Sequence, residues 1–77
     1  MYYVYILKLK NGKYYIGYSS DLKQRIREHK NGRVATTKKF PIKLIQYSAF
    51  EKKVNATNFE KYLKSSSGFA FRNKHLV

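Results

Sequence analysis

The chain has 77 residues and no cysteine, and 17 lysines and arginines against four acids leave a formal charge of +13. That length allows one domain, residues 1–77, with a small core. The missing cysteines exclude a disulfide framework, a thiolate zinc site and a thiol nucleophile, while so large an excess of positive charge points to a polyanionic partner, nucleic acid first.

Residues 2–9, "YYVYILKL", are aromatic and aliphatic and predict a strand. No basic leader precedes them and their apolar run is too short to span a bilayer, so the expected setting is the cytoplasm, with no membrane partner. "KNGK" is a hairpin turn signal and "KYYIGYS" the returning strand. Two registers are open. A two-residue loop at Asn11-Gly12 puts Tyr5 and Tyr15 on opposite faces; a three-residue loop with left-handed Gly12 pairs Leu9 with Lys13 and sets Tyr5 opposite Gly17. Ser20 or Asp21 caps a helix that runs to about Lys30 and ends at Gly32. "RVATTKKFP" is loop, and "IKLIQYSAF" after Pro41 is a third strand. A second helix is expected from about Lys52 to Lys64, stopped by "SSSG", with "FAFRNKHL" as a short final helix. The order ββαβαα predicts an α+β fold, a small three-stranded antiparallel sheet flanked by helices.

Several residues break these patterns. Positions 22, 25, 26 and 29 form the inward stripe of the first helix, so Arg25 and His29 flank Leu22 and Ile26. An arginine there can snorkel and a histidine can be a satisfied core residue. Together, in a polycation, they also suit a phosphate clamp and a proton carrier. In the second helix the stripe is Ala56, Phe59, Glu60 and Leu63. Glu60 either forms a salt bridge, for example to Arg25, or ligates a hard cation. Asp21 is committed to capping, and Glu28 and Glu51 face outward. A single carboxylate fits Mg²⁺, or another divalent cation such as Mn²⁺, whose other ligands are water and substrate phosphate. Most of the eight tyrosines are packing residues. Tyr5 and Tyr15 stand out because Gly17, a glycine inside a strand, marks close approach and would leave a notch through which a phosphate meets their hydroxyls.

"YVYIL" at 3–7 followed by "YIG" at 15–17 resembles the two short motifs that name the GIY-YIG nuclease family, with Tyr3 in place of the opening glycine. "SSDLKQRIREH" is similar to the family's first helix, with its arginine at Arg25 and its histidine at His29. "NATNFEKYLK" is similar to its later helix, with the metal-binding glutamate at Glu60 and a basic residue at Lys64. Asn73 is a candidate for an asparagine that often follows. The resemblance covers essentially the whole chain. It implies a Mg²⁺-dependent endonuclease that hydrolyses phosphodiester bonds in DNA, of the kind that serves DNA repair. Tyr5, Tyr15, Arg25 and His29 would be catalytic, Glu60 would hold the metal, and Gly17 and Lys64 would contact substrate. In this reading Tyr5, assisted by His29, positions or deprotonates the attacking water, Tyr15 hydrogen-bonds the phosphate or the water, and Arg25 stabilises the transition state. The competing reading is a non-catalytic nucleic-acid-binding module on the same fold, because neutralising a phosphate backbone needs no chemistry.

Overall fold

The computed structural model describes residues 1–10, 12–32 and 42–76. It contains β1 (Tyr2–Leu9), β2 (Tyr14–Ser19), α1 (Leu22–Lys30), β3 (Ile42–Phe50), α2 (Lys53–Lys64) and α3 (Ser66–His75). The order is ββαβαα and the fold is α+β. The expected loop over residues 33–41 lies outside the described residues. β1 is the central strand of an antiparallel sheet ordered β2-β1-β3, which leaves the outer side of β2 without a strand partner among the described residues.

The hairpin takes the register that unites the tyrosines. Leu9 N–H donates to the Lys13 carbonyl at 2.9 Å and Gly12 N–H to the Leu9 carbonyl at 3.0 Å. The connection therefore spans positions 10–12, and Gly12 sits at φ 86°, where a side chain would be strained. Tyr5 then pairs with Gly17 and Leu7 with Tyr15. Because strand side chains alternate, Tyr5, Leu7, Tyr15 and Gly17 share one face of the sheet, and Val4, Ile6 and Ile16 the other.

The second face carries the core. Val4, Ile6 and Ile16 pack with Ala56 and Leu63 of α2, and Phe59, Phe50 and Phe71 close around them. The first face receives α1. Asp21 caps that helix by accepting from Gln24 N–H at 3.1 Å. Its last turn closes through Asn31 and Gly32, whose N–H groups donate to the carbonyls of Arg27 and His29. The inward stripe is as expected: His29 is buried, and Leu22, Arg25 and Ile26 are half-buried.

The segment "SSSG" does more than stop α2. Ser65 ends one helix and caps the next: its hydroxyl donates to the Tyr62 carbonyl at 2.6 Å and accepts from Gly68 N–H at 3.1 Å. α3 consequently begins at Ser66, three residues before the expected "FAFRNKHL" helix. A Cβ at Gly68 would overlap the Tyr62 carbonyl, so the two helices meet where one has no side chain. No described helix is long and apolar enough to cross a membrane.

Candidate active site

The register and the α1 stripe bring three aromatic groups together. Tyr5 Oη lies 2.9 Å from His29 Nε2, a buried contact between residues 24 apart in sequence. The His29 ring stands edge-on to both phenols, with centroids 5.6 Å from Tyr5 and 5.0 Å from Tyr15, and the two phenol rings are 6.3 Å apart. Tyr5 is 1% exposed and His29 2%. Tyr15 is half-buried, lines a cavity of about 310 Å³, and its hydroxyl has no hydrogen-bond partner among the described residues. Of the two phenols, Tyr15 therefore faces outward and Tyr5 stands behind it.

This arrangement bears on the expectations for Gly17 and Tyr5. The space opposite Gly17 is not a notch for phosphate. It is filled by the Tyr5 ring, whose Cζ and Oη would collide with a Cβ at position 17. Gly17 thus admits the Tyr5 ring. Nor does Tyr5 stand at the front of the site, where it could take a proton directly from water, because its hydroxyl is buried and tied to His29.

Burial also sets the acid–base properties. Desolvation, and then the neighbouring Tyr15, push the Tyr5 phenol well above its ordinary value; Arg25 opposes this, while Glu60 and Glu28 add to it. Desolvation, and then Arg25, hold the His29 imidazole below 6.5, against a smaller opposing effect of Glu28. His29 is therefore neutral near neutral pH, and Tyr5 is a hydrogen-bond donor rather than a phenolate. The phenol donates to Nε2 when that nitrogen carries the lone pair.

Arg25 and Glu60 border this cluster from opposite faces of the sheet. Arg25 lies on α1, and its side chain makes no hydrogen bond or ion pair among the described residues. Glu60 lies on α2, across the sheet, yet its charge acts on the Tyr5 phenol. Tyr15 and Lys64 line the same cavity, and Lys64 Nζ donates to Glu60 Oε2 at 3.1 Å. The alternative pairing of Glu60 with Arg25 does not form.

The donor set around Glu60 suits a single hard cation. Its side chain is 23% exposed, and Oε1 has no hydrogen-bond partner among the described residues. The partner on Oε2, Lys64, is 55% exposed, and an ion pair so open to water is weak enough to yield to a divalent ion. Among the described residues no three His, Cys, Asp or Glu side chains gather at one point. A hard cation at Glu60 would find one protein carboxylate among the described residues and would need water or phosphate oxygens for the rest of its shell.

One residue of evident chemical interest escaped the sequence reading. Arg72 of α3 is 6% exposed, with its guanidinium carbon 4.3 Å from the Phe69 ring centroid and 4.9 Å from that of Tyr14. The only available signal was its spacing from Gly68, four residues back, which places both on the inward side of α3. Asn73, named as a candidate, accepts from Arg72 Nε and Nη2 at 3.4 and 3.3 Å.

The chain is similar to known proteins. Residues 1–74 match the description of the GIY-YIG catalytic domain. The chain is 39% identical over 64 residues to the UPF0213 protein of Streptococcus pneumoniae serotype 4, covering 80% of this chain and 65% of that one. It is 42% identical over 66 residues to UPF0213 protein CPE1444 of Clostridium perfringens, covering 83% and 71%. It thus spans about two-thirds of the length of these relatives. The solution NMR structure of UPF0213 protein BH0048 from Bacillus halodurans aligns with a TM-score of 0.61 at 33% identity, over 96% of this chain and 84% of that one.

Proposed function

The chain belongs to the GIY-YIG family, and on that premise we propose that it is an endonuclease that hydrolyses phosphodiester bonds in DNA with one divalent metal ion, in the cytoplasm. The observation that carries the reading is the meeting of Tyr5, Tyr15 and His29 on one face of the β-hairpin, with the Glu60 carboxylate on the other face adding to the upward push on the Tyr5 phenol. A binding module gains nothing from placing Glu60 there, since a carboxylate repels phosphate.

In this mechanism Tyr15, with its hydroxyl unengaged by any described residue, orients the attacking water or a phosphate oxygen. His29 is the proton acceptor of the cluster, because it alone is neutral and basic near neutral pH. For a proton to reach His29, the Tyr15 hydroxyl would have to swing into hydrogen-bond reach of Tyr5, which passes its own proton to Nε2 as it takes the incoming one and so never becomes a phenolate despite its raised pKa. Arg25, lacking a protein counter-ion among the described residues, is available to the charge that develops on phosphorus oxygens in the transition state. Glu60 would hold Mg²⁺ or Mn²⁺, which when bound neutralises charge on the scissile phosphate and leaving oxygen. A cation at Glu60 would compete with Lys64 for the carboxylate, and Lys64, which lines the same cavity as Tyr15, would then be placed to meet the substrate backbone.

The test is incubation of labelled duplex, single-stranded, flap and junction DNAs with the protein, in Mg²⁺ and in chelator. Cleavage of at least one substrate is expected in Mg²⁺ and none in chelator. Glu60→Gln lowers it by about 100-fold or more while leaving DNA binding intact or stronger. Cleavage undiminished in Glu60→Gln would remove Glu60 from the chemistry. Tight binding with no cleavage of any substrate would favour the non-catalytic module.

A further inference from the structure

Arg72 is a charge in an unusual position. Its side chain is almost wholly buried, yet it meets no carboxylate among the described residues. Its hydrogen bonds to Asn73 are long, at 3.3 and 3.4 Å. Nη1 has no partner among the described residues but is not sealed from solvent. Burying a charge without a counter-ion is costly. The two flanking rings offset part of that cost through cation–π attraction. They also fix the plane of the guanidinium, so its remaining N–H groups are pre-aimed. A planar donor fork, desolvated and lacking an anion, is suited to phosphate.

The surroundings give this anion a direction. Two cavities share Tyr14, Phe69 and Arg72 as a common wall. One, of about 310 Å³, leads to Tyr15 and Lys64 and so to the site described above. The other, of about 420 Å³, leads away past Lys13 and Asn73. Phe69 is 53% exposed although one face of its ring is taken by Arg72, so the rest of the ring is open to an unpaired base.

We propose that Arg72, clamped between Tyr14 and Phe69, is the phosphate anchor of a strand-binding groove that runs from Lys13 past Lys64 into the Tyr15 site, holding a phosphodiester adjacent to the one that is cleaved. This rests on the nuclease reading for the identity of the neighbouring site, but the groove is a binding claim and is tested without turnover. Arg72 contributes to holding the strand before and through the reaction, which affects KM rather than kcat.

The experiment measures binding of a fluorescein-labelled single-stranded DNA decamer, and of the RNA decamer of the same sequence, in chelator across a salt series. Arg72→Met keeps the apolar stem between the two rings and removes the charge. The expected result is about tenfold weaker binding at low salt, and a slope of log K against log [salt] shallower by about 1. In Mg²⁺, KM rises several-fold with kcat within twofold. A second measurement covers a variant that does not fold. In the wild-type protein, titration with the dinucleotide d(TpT) shifts the Arg72 Nε–H resonance before those of the other arginines. Binding and slope equal to wild type in folded Arg72→Met would overturn the proposal, as would an Arg72 resonance that stays still while others move. A protein that cleaves nothing yet loses binding in Arg72→Met would refute the nuclease reading and keep the groove.

Discussion

The 2.9 Å contact between Tyr5 Oη and His29 Nε2 ties together two groups that burial moves in opposite directions. With the His29 pKa below 6.5, protonation of the imidazole removes the acceptor only in acid. The rate of cleavage therefore rises with pH through a value below 6.5 and is flat at neutrality. The same shift affects stability. Below 6.5 the unfolded chain binds a proton that the folded one resists, so His29 contributes stability that is complete above that pH and declines as pH falls. His29→Gln removes the acid limb of a pH–rate profile taken from pH 5 to 8 and lowers the plateau by about 100-fold or more. A limb centred above 6.5, or one that survives the substitution, would exclude His29 as the acceptor. Much of this residue chemistry was legible beforehand, because Arg25, His29 and Glu60 are charged or polar side chains at apolar positions of a helical repeat. The division of labour between the two tyrosines was not. It depends on how deeply α1 seats against the hairpin, which periodicity does not encode.

Among the elements, the helices and strands followed their periodicity closely, and the hairpin register was narrowed to two candidates by the turn residues. What chose between them is the left-handed conformation of Gly12. The junction of α2 and α3 was read as a stop because three serines and a glycine disfavour a helix interior. Those same residues favour a cap, and Ser65 uses its hydroxyl for both ends at once. Ser65→Ala accordingly destabilises the protein by about 1 kcal/mol, read from the midpoint of urea unfolding with an unchanged slope. An unaffected midpoint would mean that packing alone sets the junction. Arg72 was hidden for a related reason: α3 has no continuous apolar stripe against which an inward arginine would stand out, and its two aromatic neighbours come from different elements, β2 and α3 itself.

At the scale of the whole molecule, the site exists because a three-stranded sheet is narrow. α1 covers one face and α2 the other, and across so thin a sheet the Glu60 carboxylate of α2 still adds to the upward push on the Tyr5 phenol. The sequence placed Glu60 on an inward stripe without saying on which side of the sheet that stripe would pack, so the convergence was an expectation with no local signal behind it. The formal charge of +13 draws a polyanion to the molecule and does not by itself select the point of reaction. The central claim, that one metal ion bound at Glu60 sits within reach of Tyr5, Tyr15 and His29, is tested most directly by titrating Mn²⁺ into the isotopically labelled protein and following paramagnetic broadening by NMR. The account predicts that the ring resonances of Tyr15, Tyr5 and His29 broaden at substoichiometric Mn²⁺ together with those of Glu60, and that Glu60→Gln abolishes the effect. Broadening that spares the three rings, or that persists unchanged in Glu60→Gln, would contradict it.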